Sequence, residues 1–214
     1  MIVAIDGPAG SGKSAVGKRV ASALGLAFVD SGLMYRAVAW LAADRGVGFD
    51  DTAALTEIAR SCRITIEGPQ VHADGEDLTG HVYSPEASEG ASQVAQVGGV
   101  REALVLQQRR LGDGGVVMAG RDIGTVVFPD TPHKFFLTAS VDERARRRAR
   151  QIEARGAVAD EAALRREVAE RDRRDAGRAI SPMRPAADAR LVATDGLDLD
   201  QVVTAVLNAV RSPG

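Results

Sequence analysis

One octapeptide near the start of the chain constrains its fold more than any other feature. Residues 7–14 read Gly-Pro-Ala-Gly-Ser-Gly-Lys-Ser, which matches the P-loop pattern of glycine, four residues, glycine, lysine and serine. The octapeptide lies between a short apolar strand, residues 2–5, and residues 13–24, whose apolar side chains recur at helical spacing. Because a P-loop binds nucleotide phosphates in this strand–loop–helix context, the sequence predicts a nucleoside triphosphate site.

Each part of this loop has a role in the predicted site. The glycines let backbone N–H groups turn towards the phosphates, and the helix that begins at Lys13 directs the positive end of its dipole at them. Lys13 can reach the β- and γ-phosphates, and the Ser14 hydroxyl can bind Mg²⁺. We expect the triphosphate to lie against the whole loop: Gly7, Pro8, Ala9, Gly10, Ser11, Gly12, Lys13, Ser14 and Ala15.

The pattern of strands and helices predicts an α/β fold. Strand patterns, at residues 2–5, 27–29, 115–120, 133–139 and 190–195, alternate with helical ones, at residues 13–24, 31–46, 84–97, 100–111, 142–155, 160–174 and 199–210. Such alternation favours a parallel sheet with helices on both faces, in which residues 27–29 form a buried strand. Three short segments in the middle, residues 62–68, 70–74 and 76–80, predict a small antiparallel insert.

Positive charge is concentrated in arginines between residues 144 and 178, although the formal net charge is −2. A basic cluster within an acidic chain favours a local anion site over a nucleic-acid-binding surface, which usually comes with a basic domain. The interleaved acids allow a second interpretation, an exposed helix with weakly stabilising Glu–Arg pairs. Because the rigid arginine fork suits phosphate, we expect some of these arginines to bind an anion.

Several classes of protein are disfavoured by what the sequence lacks. Cys62 is the only cysteine, which excludes an intramolecular disulfide and a cysteine zinc cage. The three histidines, His72, His81 and His133, are too widely spaced to suggest a ligand set. No apolar run approaches the length of a membrane span, and the first residues lack the basic stretch of a signal peptide. We therefore expect a soluble, cytoplasmic protein.

A second motif, Asp30-Ser-Gly-Leu-Met-Tyr-Arg36, follows the second predicted strand. There it would lie at the carboxyl edge of the sheet, where ligands bind in such folds, and Arg36 could hold a second anion. A guanine-binding switch protein would need Asn-Lys-x-Asp, but the only asparagine is Asn208. The segment Asp77-Leu-Thr-Gly80 is interpreted as a turn and not as a switch motif. These features favour a small-molecule kinase.

Five ordered stretches make the chain resemble the bacterial cytidylate kinases, which phosphorylate CMP and dCMP. The first stretch is common to P-loop proteins, whereas the fourth and fifth are far more specific. They cover almost the whole chain: IDGPAGSGKS, VDSGLMYRA, GASQVAQVGGVREAL, GRDIGTVVFPDTPHKFFL and RDRRDAGRAISPMRPAADA.

The resemblance implies how the acceptor is bound. Ser31, Arg36 and Arg121 would face its phosphate. Ser92, Arg101 and Asp122 would read the cytosine, with Arg178 beside them, and Arg171 and Asp175 would hold the ribose hydroxyls or line a closing lid. This assignment suits cytosine, whose amino group is a donor that Asp122 can accept from; uracil has a carbonyl there, so UMP should be the poorer substrate. The catalytic residues would be Lys13, Arg121, Arg171 and Arg178.

The resemblance also implies the organisation of the chain and its ligands. The core would comprise residues 1–30, 112–149 and 171–214, the acceptor-binding region residues 31–111 with the β insert at about 62–82, and the lid residues 150–170. We expect a monomer that uses ATP, CMP or dCMP and Mg²⁺, with no nucleic-acid or membrane partner.

Two positions depart from the family pattern. Ala119 replaces the usual acidic residue before Gly-Arg-Asp, which would orient waters on Mg²⁺, and Ala15 replaces a common threonine.

Two alternative functions stay open at this point. The first is another small-molecule P-loop kinase, acting on UMP, AMP, a nucleoside or a non-nucleotide acceptor. The second is a non-catalytic module that binds ATP without turnover, which the alanine at position 119 suggests.

Overall fold

The computed structural model describes residues 1–154 and 156–212, which form alternating strands and helices. The first part of the chain contains β1 (Ile2–Asp6), α1 (Lys13–Leu24), β2 (Ala27–Asp30), α2 (Gly32–Asp44), α3 (Thr52–Ser61), β3 (Ile64–Glu67), β4 (Gln70–Ala73), β5 (Glu76–Asp77) and α4 (Thr79–Val82). The second part contains α5 (Pro85–Val94), α6 (Gly98–Leu111), β6 (Val116–Gly120), a π-helical turn (Ile123–Val127), β7 (His133–Thr138), α7 (Val141–Glu153), α8 (Glu161–Ala176), β8 (Arg190–Ala193) and α9 (Leu199–Arg211).

A five-stranded sheet in the order β2-β6-β1-β7-β8 forms the centre of the molecule, and every strand pair in it is parallel. Side chains of alternate residues along the strands pack into two apolar cores, one on each face of the sheet. Val3 and Ile5 pack with α1 and α9, whereas Ala4 and Met118 pack with the helices from α2 to α6. This arrangement confirms the predicted α/β fold with helices on both faces.

The parallel strands bring three loops together at their carboxyl ends. The P-loop follows β1, Ser31 follows β2, which ends at Asp30, and residues 121–122 follow β6. Since β6 lies between β1 and β2 in the sheet, these loops are neighbours although they are far apart in sequence. Ligands bind at this edge in open α/β sheets.

The predicted burial of residues 27–29 is wrong for most of the strand. Strand β2 lies at the edge of the sheet, where Ala27 is exposed, Phe28 is partly exposed, and Val29 alone is fully buried. An apolar run of three residues cannot distinguish a central strand from an edge strand, because strand order depends on long-range pairing.

The predicted antiparallel insert is present as the sheet β3-β4-β5. Its last strand is shorter than the predicted residues 76–80, because the Asp77 carboxylate accepts a hydrogen bond from the Thr79 backbone N–H at 2.8 Å and a helical turn, α4, begins there. Asp74 and Gly75 connect β4 to β5 with φ values of 50° and 90°, the positive pair that a type I′ hairpin turn requires.

Helices α7 and α8 form a hairpin with a small core of their own, in which Ala145 and Ala149 pack against Leu164. The predicted helices, residues 142–155 and 160–174, correspond to these two elements, although α8 continues to Ala176. Residues 155, 213 and 214, which fall within predicted ranges, lie outside the described residues. Among the described helices, none combines the length and apolar character that a membrane crossing needs.

Candidate active site

A cavity of about 600 Å³ opens at the carboxyl edge of the sheet, between the P-loop, α2, α5, α6 and the α7–α8 hairpin. Residues 9–15 of the predicted phosphate loop line it, whereas Gly7 and Pro8 do not. All nine residues predicted to bind the acceptor also line it: Ser31, Arg36, Ser92, Arg101, Arg121, Asp122, Arg171, Asp175 and Arg178. The fold thus brings into one cavity side chains that are distributed over almost 150 positions of sequence.

The P-loop holds Lys13 in a buried position at the start of α1. Its Nζ donates to the Pro8 carbonyl at 2.7 Å, so Pro8 shapes the loop without lining the cavity. Burial, followed by the positive charge of Arg121, lowers the pKa of Lys13 well below its ordinary value, although the carboxylates of Asp30 and Asp6 oppose that shift. Gly7 has φ of 142°, and a Cβ there would lie 2.1 Å from the Leu137 carbonyl oxygen; only glycine fits.

Ser14 and Asp30 form a pair of oxygen donors beside the loop. The Ser14 hydroxyl donates to Asp30 Oδ2 at 2.7 Å, and the Gly32 backbone N–H donates to Oδ1 at 3.1 Å. Ala119 is the register partner of Asp30 in β6, so its methyl group projects from the same face of the sheet. A hydroxyl and a carboxylate are ligands of the type that Mg²⁺ prefers, so this donor set fits the cation.

A buried ion pair between Arg101 and Asp122 also lines the cavity. The Arg101 guanidinium also lies 5.5 Å above the ring of Tyr35. The hydroxyl of Ser92, which is buried, has no hydrogen-bond partner among the described residues. A buried hydroxyl without a partner is costly, and a ligand with a polar edge would supply one.

Arg36 of α2 and Arg171 of α8 also line the cavity. Arg36 donates to the Val82 carbonyl at 2.9 Å, and Arg171 donates to the Ser88 hydroxyl at 2.9 Å. Burial, followed by the positive charge of Arg121, lowers the pKa of Arg171 to about 10. Uncompensated positive charge in a partly buried site favours an anionic ligand such as phosphate.

Asp175 organises the remaining arginines. Its Oδ2 accepts from Arg121 Nε at 2.8 Å and its Oδ1 accepts from Arg178. Ser31, which also lines the cavity, donates from its hydroxyl to the Ala119 carbonyl at 2.9 Å. Although burial alone would raise the pKa of Asp175, the neighbouring guanidinium groups of Arg121 and Arg178 lower it below its ordinary value. The ionised carboxylate thus fixes two arginines that lie far apart in sequence, one after β6 and one after α8.

Sequence profiles identify the family of this chain: the profile described as Cytidylate kinase matches residues 3–212. The chain belongs to the cytidylate kinase family. It is 47% identical over 213 residues to the cytidylate kinase of Desulforamulus reducens strain MI-1, an alignment that covers 98% of this chain and 96% of that protein.

Other relatives are longer proteins. The chain is 49% identical over 218 residues to the bifunctional pantoate ligase/cytidylate kinase of Synechococcus sp. strain JA-3-3Ab, covering 98% of this chain and 40% of that protein. This chain therefore spans about two fifths of the length of such bifunctional relatives. A crystal structure of an uncharacterized protein from Eubacterium ventriosum aligns over 99% of this chain and 98% of that one, with a TM-score of 0.54 and 15% identity; that likeness supports the fold alone.

Within this cytidylate kinase family fold, the structure identifies the arginines of the α7–α8 hairpin that face the cavity. Arg147, Arg148 and Arg150 of α7 line it together with Arg171 of α8. Arg146, in contrast, is about half exposed and pairs with Glu143 at 3.5 Å. The segment thus contains cavity-lining arginines and an exposed Glu–Arg pair, and anion binding by the former stays a prediction.

One buried carboxylate next to the P-loop was not among the residues expected from the sequence. Asp6, the last residue of β1, accepts hydrogen bonds of 2.8 Å from the backbone N–H groups of Ile123 and Gly124. It thereby fixes the loop that carries Asp122. Burial raises the pKa of Asp6 to about 6. Its position immediately before the P-loop, at the carboxyl end of a strand, was the only signal in the sequence.

Proposed function

We propose that this chain transfers the γ-phosphoryl group of ATP to CMP or dCMP. The observation that carries the proposal is the buried Arg101–Asp122 pair, with the unpartnered hydroxyl of Ser92, on the same cavity as the P-loop. Cytosine presents an amino donor beside two acceptors, which a carboxylate together with arginine and serine donors complements.

In the proposed complex, the acceptor phosphate lies among Ser31, Arg36 and Arg121. The α8 residues Arg171 and Asp175 contact the ribose or the phosphate, and Arg178 supports the base-reading wall. The nucleophile needs no general base, because the second pKa of a phosphate monoester is near 6 and the group is largely a dianion at neutral pH. Catalysis then rests on positioning and charge neutralisation.

The donor triphosphate would lie along residues 7–15, with Lys13 on its β- and γ-phosphates. We propose Mg²⁺ as the cofactor, held by Ser14 and oriented by Asp30. When bound, it would neutralise charge on the transferring phosphoryl group. Asp30 takes the place of the acidic residue that position 119 lacks, since Asp122 is engaged with Arg101 and Asp6 with two backbone amides.

The α7–α8 hairpin would act as the lid over this site, with residues 150–170 as its moving part, residues 31–111 as the acceptor-binding region and the remainder as the core. Arg148 and Arg171 would contact the transferring group. A closed lid keeps water from the phosphoryl group and so prevents hydrolysis of ATP.

Acceptor profiling tests the proposal. Initial rates of ADP release are measured with MgATP and CMP, dCMP, UMP, AMP or GMP. CMP and dCMP should exceed the others by at least about tenfold, and Asp122→Ala should remove most of that preference, because the amino group of cytosine loses its acceptor. Equal rates with AMP or UMP would contradict the cytosine assignment. Binding of ATP and CMP without turnover would support a non-catalytic module instead.

A further inference from the structure

A single buried arginine at the start of α7 contacts three separate parts of the molecule. Arg144 Nε donates to the Ala139 carbonyl, after β7, at 2.9 Å. Its Nη1 donates to the Ala9 carbonyl of the P-loop at 3.2 Å and to Asp172 Oδ1 of α8 at 2.9 Å, and Nη2 donates to Asp172 Oδ2. The side chain is only 3% exposed. None of these contacts involves a predicted acceptor-binding residue.

The two groups that Arg144 joins, the Ala9 carbonyl and the Asp172 carboxylate, lie beside different proposed ligand sites. Ala9 lies in the phosphate loop, and at the next residue, Gly10, a Cβ would come within 3.1 Å of the Arg144 Cβ. Asp172 follows Arg171 directly and lies one helical turn before Asp175. The planar fork of Arg144 therefore joins the backbone that faces ATP to the helix that faces the acceptor.

This link is also expected to be rigid. A bidentate arginine–carboxylate pair has a defined geometry, and separating this pair would leave the buried guanidinium of Arg144 without its counter-charge, although Asp172 is 23% exposed. A shift of the P-loop carbonyl on nucleotide binding would therefore be accompanied by a shift of Asp172, and with it of α8. The other side-chain contacts of α8 at this end do not reach the P-loop. Arg171 and Arg174 contact Ser88 and Glu89 of α5, and Asp175 contacts Arg121 after β6.

We propose that Arg144 and Asp172 are positioning residues that couple the two nucleotide sites. Occupation of the P-loop by nucleotide phosphates is transmitted through Ala9 and Arg144 to Asp172. Nucleotide binding at the P-loop thereby orders α8, so that Arg171 and Asp175 are in position to bind the acceptor. By linkage, the acceptor strengthens nucleotide binding at the P-loop by the same factor. The inference rests on the proposed function, because it takes ADP at the P-loop and CMP beside α8.

Calorimetric titration measures this coupling. CMP is titrated into the protein with and without saturating MgADP, and MgADP is titrated with and without CMP. In the unchanged protein, each ligand should tighten the other by about tenfold, within the usual range of coupling between sites. Asp172→Asn keeps the size of the side chain but removes its charge. In this variant, the factor by which each ligand tightens binding of the other should fall below about twofold. MgADP alone should bind as before.

A matched control is available between the same two helices. Asp142 of α7 pairs with Arg165 of α8 at 2.6 Å, but both side chains are more than half exposed. Asp142→Asn should leave the coupling unchanged, because exposed pairs contribute little. Arg144→Lys, which keeps the charge without the fork, should lose the coupling as Asp172→Asn does. If Asp142→Asn weakens the coupling equally, the Arg144–Asp172 pair has no special role and the proposal is wrong.

Hydrogen exchange on the unchanged protein gives a second test that does not depend on a variant folding. MgADP alone should slow amide exchange in α8, Glu161–Ala176, but not in α3, Thr52–Ser61, which does not contact the P-loop site. Unchanged exchange in α8, or full coupling in Asp172→Asn, would overturn the proposal. Failure of CMP to bind under any condition would instead contradict the proposed function, so the two failures are distinguishable.

Discussion

The hydroxyl of Ser14 donates a 2.7 Å hydrogen bond to Asp30 Oδ2, and so joins the start of α1 to the end of β2. This contact leaves the lone pairs of the hydroxyl available to a cation while its proton is held by the carboxylate. The register partner of Asp30 in β6 is Ala119, which offers only a methyl group on the same face. Asp30 is therefore the carboxylate best placed to support a metal at Ser14.

Replacement of Asp30 tests this assignment. Asp30→Asn should raise the free Mg²⁺ concentration needed for half-maximal rate by about 10-fold to 100-fold, the usual effect of removing an outer partner of a metal ligand. Binding of Mn²⁺ to the ADP complex, followed by electron paramagnetic resonance, should weaken similarly. Asp44→Asn, at the exposed end of α2, is the control. A second change, Ala119→Asp, should partly restore metal binding to Asp30→Asn; no restoration would argue against a shared role for the two positions.

Asp6 should give the stability of the protein a distinctive dependence on pH. Burial raises its pKa from 3.8 to about 6, although two backbone N–H groups and Lys13 oppose that shift. The folded state thus binds this proton more tightly than the unfolded state does. Its stabilising contribution is complete below about pH 4 and is lost as the pH rises through about 6. Over that window the loss amounts to roughly 3 kcal/mol.

Urea unfolding between about pH 4 and pH 7 measures this effect against Asp6→Asn. The variant removes the titrating group, so its stability lacks the pH-dependent contribution of Asp6. The difference in unfolding free energy should therefore favour the unchanged protein most strongly at acid pH and shrink towards neutrality. A difference that grows with pH would mean that the hydrogen bonds from the backbone amides outweigh burial and lower the pKa of Asp6.

Gly17 of α1 should not tolerate alanine, although alanine is normally the better helix former. A Cβ at Gly17 would lie 2.4 Å from Cε2 of Phe28, so the gain in helix propensity, about 1 kcal/mol, is offset by overpacking of about 1–3 kcal/mol. Chemical denaturation should show Gly17→Ala to be less stable by roughly 1 kcal/mol. Gly80→Ala, where a Cβ meets no atom within 4 Å, should be neutral or slightly stabilising.

Local patterns sufficed to predict much of this structure. The P-loop, the alternation of strands and helices, and the resemblance motifs each depend on residues close in sequence, and the fold brings the nine expected acceptor residues to one cavity. Strand order does not follow from such patterns, which is why the edge position of β2 was missed.

The missed site residues share a different cause. Asp6 meets the backbone of Ile123 across 117 positions, and Arg144 meets Asp172 across 28. No spacing rule within one helix or strand relates such pairs. Helical periodicity alone also did not show which arginines of α7 face the cavity, because that depends on how the hairpin packs against α5 and the P-loop.

The two faces of α7 allow a direct test of which arginine serves the transferring phosphoryl group. Arg148 lines the cavity, pairs with Glu167 at 2.8 Å and contributes to the positive potential at Arg36 and Arg171. Arg148→Ala should lower kcat by about 10²-fold or more, the usual effect of removing one donor to developing charge, with a small change in the KM for CMP. Arg146→Ala, on the solvent side two residues earlier, should keep kcat within about twofold, since exposed pairs contribute little. Steady-state kinetics on the two purified variants measure kcat and the KM for CMP. Equal decreases in kcat would mean that α7 acts through its overall charge and not through a single arginine at the site.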